Sequence, residues 1–174
     1  MYYATIKPRD IANGPGVRVS LFVSGCTHHC PGCFNAEAWD FDYGKPFDKA
    51  VVDELLTLLE PDYVKGLSLL GGEPFEPQNQ MALVGLLRKV RERYPSKTVW
   101  CYSGYTLEQL RGESRARCEV TDEMLSMIDV LVDGRFVMEK KNIRLRFRGS
   151  ENQRLIDLNK TREAGEIVLW DERQ

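Results

Sequence analysis

Three of the five cysteines fall within eight residues, in the pattern Cys26-x3-Cys30-x2-Cys33. Three thiolates on one short loop can hold three irons of a [4Fe–4S] cube, because such clusters are ligated by cysteine sulfur. The fourth iron then has no protein ligand unless Cys101 or Cys118 supplies one. An open iron is what coordination of a substrate or cofactor requires. A zinc site is the alternative. Zinc takes four ligands, and its structural sites usually show paired C-x2-C spacings or one such pair with histidines. His28 and His29, the only histidines of the chain, lie inside the loop and are available for that role. They read mainly as polar loop residues that shield a cluster. Cys101 falls in an apolar run and reads as a buried thiol, whereas Cys118 lies in a polar stretch and has no assigned role. An odd, locally crowded set of cysteines argues against a disulfide framework.

Gly71-Gly72-Glu73-Pro74 is the second constellation. Two glycines let backbone approach a ligand closely, and Glu73 sets a carboxylate beside that opening, suited to an ammonium group. Alone, the tetrapeptide reads first as a plain turn. Ser103-Gly104 and Asp133-Gly134 are ordinary turn pairs that also offer a hydroxyl and a carboxylate for hydrogen bonds to a ligand.

The elements around these residues share one feature. Residues 17–23 alternate as a strand and end at the cysteine loop. Apolar runs at about 66–70, 98–102 and 130–132 read as strands ending at Gly71, Ser103 and Asp133. Between them lie helical patterns at about 48–60, capped by Asp48, and about 79–94. Short helices are expected after Thr106, which with Gln109 makes a capping box, and after Thr121. Residues 111–120 read as a polar loop. This β–α–β–α–β–α–β order predicts an α/β fold with a parallel sheet. In such a sheet all four loops lie beyond the carboxyl ends of the strands, where ligands bind.

The chain has 174 residues, which suggests a single domain spanning 1–174. A net charge of −2 gives no general attraction to nucleic acid or anionic membrane. No apolar stretch approaches the ~20 residues that cross a bilayer, and the opening MYYATIKPRDIANGPG has no signal-peptide pattern. The chain is therefore expected to be cytoplasmic. From about residue 135 a basic C-terminal extension begins. Within it Arg144, Leu145, Arg146, Phe147 and Arg148 alternate charged with apolar, as a half-exposed edge strand or a docking surface for a partner would. Residues 167–170 read as an added strand.

The triplet Cys26-x3-Cys30-x2-Cys33 followed by Gly71-Gly72-Glu73-Pro74 resembles the radical S-adenosylmethionine (SAM) superfamily. Asn13-Gly14-Pro15-Gly16-Val17-Arg18 and Ser24-Gly25-Cys26 are similar to the opening of the glycyl-radical enzyme activases. Cys30-Pro31-Gly32-Cys33-Phe34-Asn35, Tyr102-Ser103-Gly104-Tyr105, residues 131–136 and residues 148–154 resemble the activators of anaerobic ribonucleoside-triphosphate reductase. Most of the superfamily carries an aromatic residue just before the third cysteine. Here Gly32 stands there and Phe34 follows the cysteine, as in those activators. The likeness runs from about residue 8 to 156.

The resemblance implies that Cys26, Cys30 and Cys33 hold a [4Fe–4S] cluster whose open iron binds SAM. It places Gly32, Cys33, Phe34, Gly71, Gly72, Glu73, Ser103 and Asp133 around the cofactor, with no side chain as acid or base catalyst. Reductive cleavage of SAM then yields a 5′-deoxyadenosyl radical, which takes a hydrogen from a glycine of the anaerobic (class III) ribonucleoside-triphosphate reductase. A flavodoxin or ferredoxin supplies the electron. A complete eight-stranded β/α barrel takes ~250 residues, so an incomplete, laterally open parallel barrel is expected, its open side suited to a protein loop. Three alternatives stand beside this one. They are an activase of another glycyl-radical enzyme such as pyruvate formate-lyase, a small-molecule radical SAM enzyme of the deazapurine type, and a zinc-binding interaction module.

Overall fold

The alternation in Val17–Val23 sends Val19, Leu21 and Val23 to one face of a strand and Arg18 and Ser20 to the other, and all five are fully buried. A computed structural model, which describes residues 1–173, accounts for both dry faces. Gln174, the end of the expected single domain, lies outside the described residues. The strands are β1 (Tyr2–Asp10), β2 (Val17–Val23), β3 (Lys45–Pro46), β4 (Val64–Gly71), β5 (Thr98–Ser103), β6 (Val130–Asp133) and β7 (Arg154–Asp157). They form one sheet in the order β3-β1-β2-β4-β5-β6-β7, which does not close on itself.

The expected parallel sheet is its centre: β2, β4, β5 and β6 run parallel. The expectation of parallel strands throughout is corrected at the flanks, where β1, β3 and β7 are antiparallel. For β1, chain length explains the difference. Only six residues join β1 to β2, and a parallel neighbour needs a crossover of a dozen or more.

Helices α1 (Lys49–Leu58), α2 (Pro77–Arg93), α3 (Leu107–Arg111), α4 (Thr121–Ser126) and α5 (Leu158–Ala164) complete the fold. Asp48 caps α1 by accepting from the Val51 amide at 3.0 Å, and Thr106 and Gln109 form the capping box of α3. Thr121 is not a cap. Its hydroxyl donates to Gln80 on α2 at 2.7 Å, so tertiary bonding overrides the local role. The helices bury Leu55, Leu59, Leu83, Leu87, Leu107 and Met124 with Val19, Leu21, Leu67, Leu69, Cys101 and Leu131 of the sheet in one core.

The opposite face carries a second, smaller cluster of Trp100, Val130, Val132, Leu155 and Trp170. Arg18 lies on this face and staples three strands. It donates to Ser68 Oγ at 2.8 Å, to the Leu67 and Thr98 carbonyls at 2.9 Å each, and to Thr98 Oγ1 at 2.9 Å. Ser68 in turn donates to the Asn13 carbonyl at 2.6 Å, tying down the turn at 13–16.

The extension departs from the sequence reading. Residues 144–148 form no strand, because Asn142 turns the chain by accepting from the Arg144 amide at 3.0 Å. Phe147 then adopts φ +62° and packs against Trp100 and Trp170. Residues 167–170 contribute one bridge, Leu169 to Ile156, rather than a strand. No helix among the described residues is long and apolar enough to cross a membrane.

Arg18→Met removes a charged donor from several buried acceptors and should destabilise the fold by at least about 2 kcal/mol. Urea denaturation measures this, and an unchanged midpoint would show that Arg18 is not a staple.

Candidate functional site

β2 ends at Val23, and the chain leaves the sheet through Ser24 and Gly25 into the cysteine loop. The loop is held to the next strand by backbone bonds. Gly72 N–H donates to the Val23 carbonyl at 2.7 Å and Glu73 N–H to the Gly25 carbonyl at 2.8 Å. Gly71 sits at φ +109°, and a Cβ on Gly72 would lie 2.6 Å from the Gly25 carbonyl oxygen. Two glycines are therefore required for β4 to end flush against the cysteine loop.

A cavity of about 220 Å³ opens above these loops. Cys26, Cys30, Cys33, Phe34, Gly71, Gly72, Glu73 and Ser103 all line it, so segments distant in sequence converge as the parallel topology requires. Gly32 and Asp133 do not line it. Gly32 packs under the Met138 side chain. Asp133 is buried and turned away. It accepts from the Leu107 amide at 2.8 Å and from Arg154 at 2.9 and 2.6 Å. Asp133 and Glu108 together hold the Arg154 guanidinium above its usual range.

The cavity also has walls that the motifs did not announce. His28, Trp39, Tyr102, Gly104 and Phe136 line it, together with Arg148, Gly149 and Gln153 of the extension. The segment at 148–154 marked family likeness in the sequence, but only the fold brings it over β5 and β6. Gln153 holds it there, accepting from the Gly149 and Ser150 amides and donating to the Gly134 carbonyl.

Glu73 joins the loops. It is 1% exposed. Its Oε1 accepts from His28 Nε2 at 2.7 Å and the Gly104 amide at 2.7 Å, and Oε2 from the Phe75 amide at 2.8 Å. The Ser103 hydroxyl lies 3.0 Å from both oxygens. Both oxygens are thus used within the protein. Ser103 also accepts from the Tyr105 amide at 3.0 Å.

Burial pushes the Cys26 thiol up to about 12, against the opposing effect of hydrogen bonds from the His28 and His29 amides. Burial also raises Cys30, opposed by a bond from the Phe136 amide. The Asn35 amide donates to Cys33 Sγ at 3.4 Å. Thiols raised in this way hold their protons unless a metal displaces them. Among the described residues no three His, Cys, Asp or Glu side chains converge as a single metal ion demands. The histidines are engaged elsewhere, His28 with Glu73 and His29 stacked on Trp39 at 4.4 Å. Cys101 is fully buried in the core on β5, and Cys118 contacts Gln80 Oε1 at 3.4 Å.

Four wall residues carry buried polar atoms with no hydrogen-bond partner: His28 Nδ1, Trp39 Nε1, Tyr102 Oη and Arg148 Nε. Buried polar groups are ordinarily paired. A cavity lined by three thiols fits an iron–sulfur cluster.

An α/β chain with this cysteine loop is of the iron–sulfur class, and residues 12–156 match the family described as a 4Fe-4S single cluster domain. The chain is 43% identical over 155 residues to a protein of Escherichia coli (strain K12), covering 88% of this chain and 96% of that one. It is 41% identical to a protein of Pasteurella multocida (strain Pm70), covering 88% and 95%. With one from Enterobacteria phage T4 it shares 40%, covering 89% and 93%. All three carry the name anaerobic ribonucleoside-triphosphate reductase-activating protein, and the chain belongs to that family.

Asp133→Asn removes the charge facing Arg154. It should cost about 2 kcal/mol in urea denaturation, below the range for a fully buried pair because Arg154 is partly exposed. SAM affinity should be unchanged. A weakened affinity at full stability would instead put Asp133 in contact with the cofactor.

Proposed function

We propose that this chain activates an anaerobic (class III) ribonucleoside-triphosphate reductase by generating its glycyl radical. In this reading Cys26, Cys30 and Cys33 hold a [4Fe–4S] cluster, and SAM lies in the adjoining cavity. The supporting observation is that the three thiols and Gly71-Gly72-Glu73 meet on one cavity, in a chain whose relatives bear the activating name. The unclosed sheet is read as a laterally open radical SAM barrel. The domain is taken as one unit over 1–174, with the extension from about 135 forming a wall. An electron from a flavodoxin or ferredoxin and a cytoplasmic location complete the proposal.

When bound, the cluster and SAM supply one-electron cleavage that produces a 5′-deoxyadenosyl radical. The residues of the chain do the rest by position. The thiolates leave one iron open. Gly71 and Gly72 admit the cofactor close to backbone. Leu70, Val132 and Phe136 give the cavity apolar walls that exclude water. Phe34 lines the cavity yet is 71% exposed, which puts it at the mouth. A glycine on a loop of the reductase enters there, and no acid or base is needed because a hydrogen atom, not a proton, is transferred.

The test is anaerobic incubation of the reduced, cluster-loaded protein and SAM with the reductase. A glycyl doublet in electron paramagnetic resonance is expected. A doublet formed only with pyruvate formate-lyase would overturn the choice of partner. Cys26→Ala, Cys30→Ala and Cys33→Ala should each lower SAM cleavage by at least about a hundredfold, while Cys101→Ala and Cys118→Ala leave it within about twofold, because only the first three line the cavity. Full cleavage in any of the first three would refute the ligand assignment.

A further inference from the structure

Residues 135–148 hold six of the chain's 24 Lys and Arg but only one, Glu139, of its 26 Asp and Glu. Arg146 and Arg148 are engaged by Glu172, through its carbonyl and its carboxylate. Arg135, Lys140, Lys141 and Arg144 are exposed. Among the described residues, none of these four lies within ion-pair distance of a carboxylate. Apolar side chains are exposed among them, Met138 at 46% and Ile143 at 91%.

This basic strip borders the cavity. Arg135 stands between the wall residues Gly134 and Phe136. Met138 packs over Gly32 of the cysteine loop, and Lys141 lies over the ring of Phe34 at the mouth. The backbone of the strip is tied down. Lys141 bridges to Ser150, the Glu151 amide donates to the Lys140 carbonyl at 2.9 Å, and the Asn142 amide donates to the Gly149 carbonyl at 3.2 Å. A backbone ordered before the partner arrives lowers the cost of association.

Unpaired charge of one sign, mixed with exposed apolar residues, fits a protein surface of the opposite charge. We propose that Arg135, Lys140, Lys141 and Arg144, with Met138 and Ile143, dock an acidic surface of the reductase beside the glycine that enters the cavity. The proposal rests on the reductase being the partner and names the face that receives it. A nucleic acid or an anionic membrane would also meet the cations, but neither brings a peptide glycine to the mouth. The cations steer the encounter and set its salt dependence, and the apolar residues hold the docked complex.

Biolayer interferometry of the cluster-loaded, unreduced protein with SAM and the anaerobic reductase tests this. Wild-type affinity should fall at least about tenfold between about 0.05 and 0.5 M salt, as screening shortens the reach of the charges. Lys140→Glu with Arg144→Glu should bind at least about tenfold more weakly at low salt and lose most of the salt dependence. Lys49→Glu with Lys89→Glu makes the same charge change on exposed residues of α1 and α2 and should stay within about twofold of wild type. SAM cleavage by the dithionite-reduced protein without reductase should be unchanged in both, since none of the four residues lines the cavity. Wild-type affinity in the strip variant would overturn the proposal, and so would an equal loss in the α1–α2 variant. Unaltered reductase binding with lost binding to phosphatidylglycerol vesicles or to single-stranded DNA would reassign the strip to that ligand. Unaltered reductase binding with a dimer lost in sedimentation velocity would reassign it to a second copy of this chain. Failure of wild type itself to bind the reductase would overturn the partner reading and this proposal together.

Discussion

One buried carboxylate organises the mouth of this sheet. Glu73 takes hydrogen bonds from the cysteine loop through His28 and from the loop after β5 through Ser103 and Gly104, and it fixes its own turn through the Phe75 amide. A carboxylate this deep is tolerated only when its oxygens are satisfied. The requirement runs both ways. The loops are held in register because the charge needs them, and the charge stays because the loops converge. Glu76 repeats the device a turn later, accepting from the Thr27 amide and hydroxyl at 2.8 and 2.7 Å. Two carboxylates of one short segment thus clamp the loop that carries the three cysteines.

Below the mouth, Arg18 performs the corresponding task for the strands. Its guanidinium joins β4 and β5 on the face opposite the helices and lies over Trp100 at 5.8 Å. That face is polar where Arg18, Ser68 and Asn13 meet, aromatic around Trp100, Phe147 and Trp170, and hollow beneath the cysteines. The extension closes part of the hollow. Phe136 reaches Cys30 through its amide and Phe34 through its ring, and Lys141 lies 5.1 Å from the Phe34 ring centroid. The segment that carries the basic residues is therefore in contact with the cysteine loop itself.

Much of this was legible in the sequence, for reasons of range. The central strands, the two long helices, the Asp48 cap and the Thr106 capping box depend on neighbours a few residues away. The cysteine triplet and Gly71-Gly72 were legible because loop chemistry is written in consecutive residues. What escaped depends on distant partners. Thr121 has the composition of a cap but bonds Gln80. Arg144–Arg148 alternate like a strand, yet Asn142 and the Trp100–Trp170 pair dictate a turn. Asp133 lies in a turn that suggested a ligand, and Arg154 takes its carboxylate. His28 looked like one of two adjacent polar loop residues, and only the approach of Glu73 and Gly104 separates it from His29. β1 and β7 were missed for different reasons: β1 is antiparallel because only six residues join it to β2, and β7 is four residues long, too short to show an alternation.

In the proposed reading three thiols hold the cluster and leave one iron for SAM. Mössbauer spectroscopy of the protein reconstituted anaerobically with 57Fe addresses that directly. The expected result is about four irons per chain, one of which becomes spectroscopically distinct when SAM is added. A single zinc per chain without sulfide, or irons that all remain equivalent with SAM present, would contradict it.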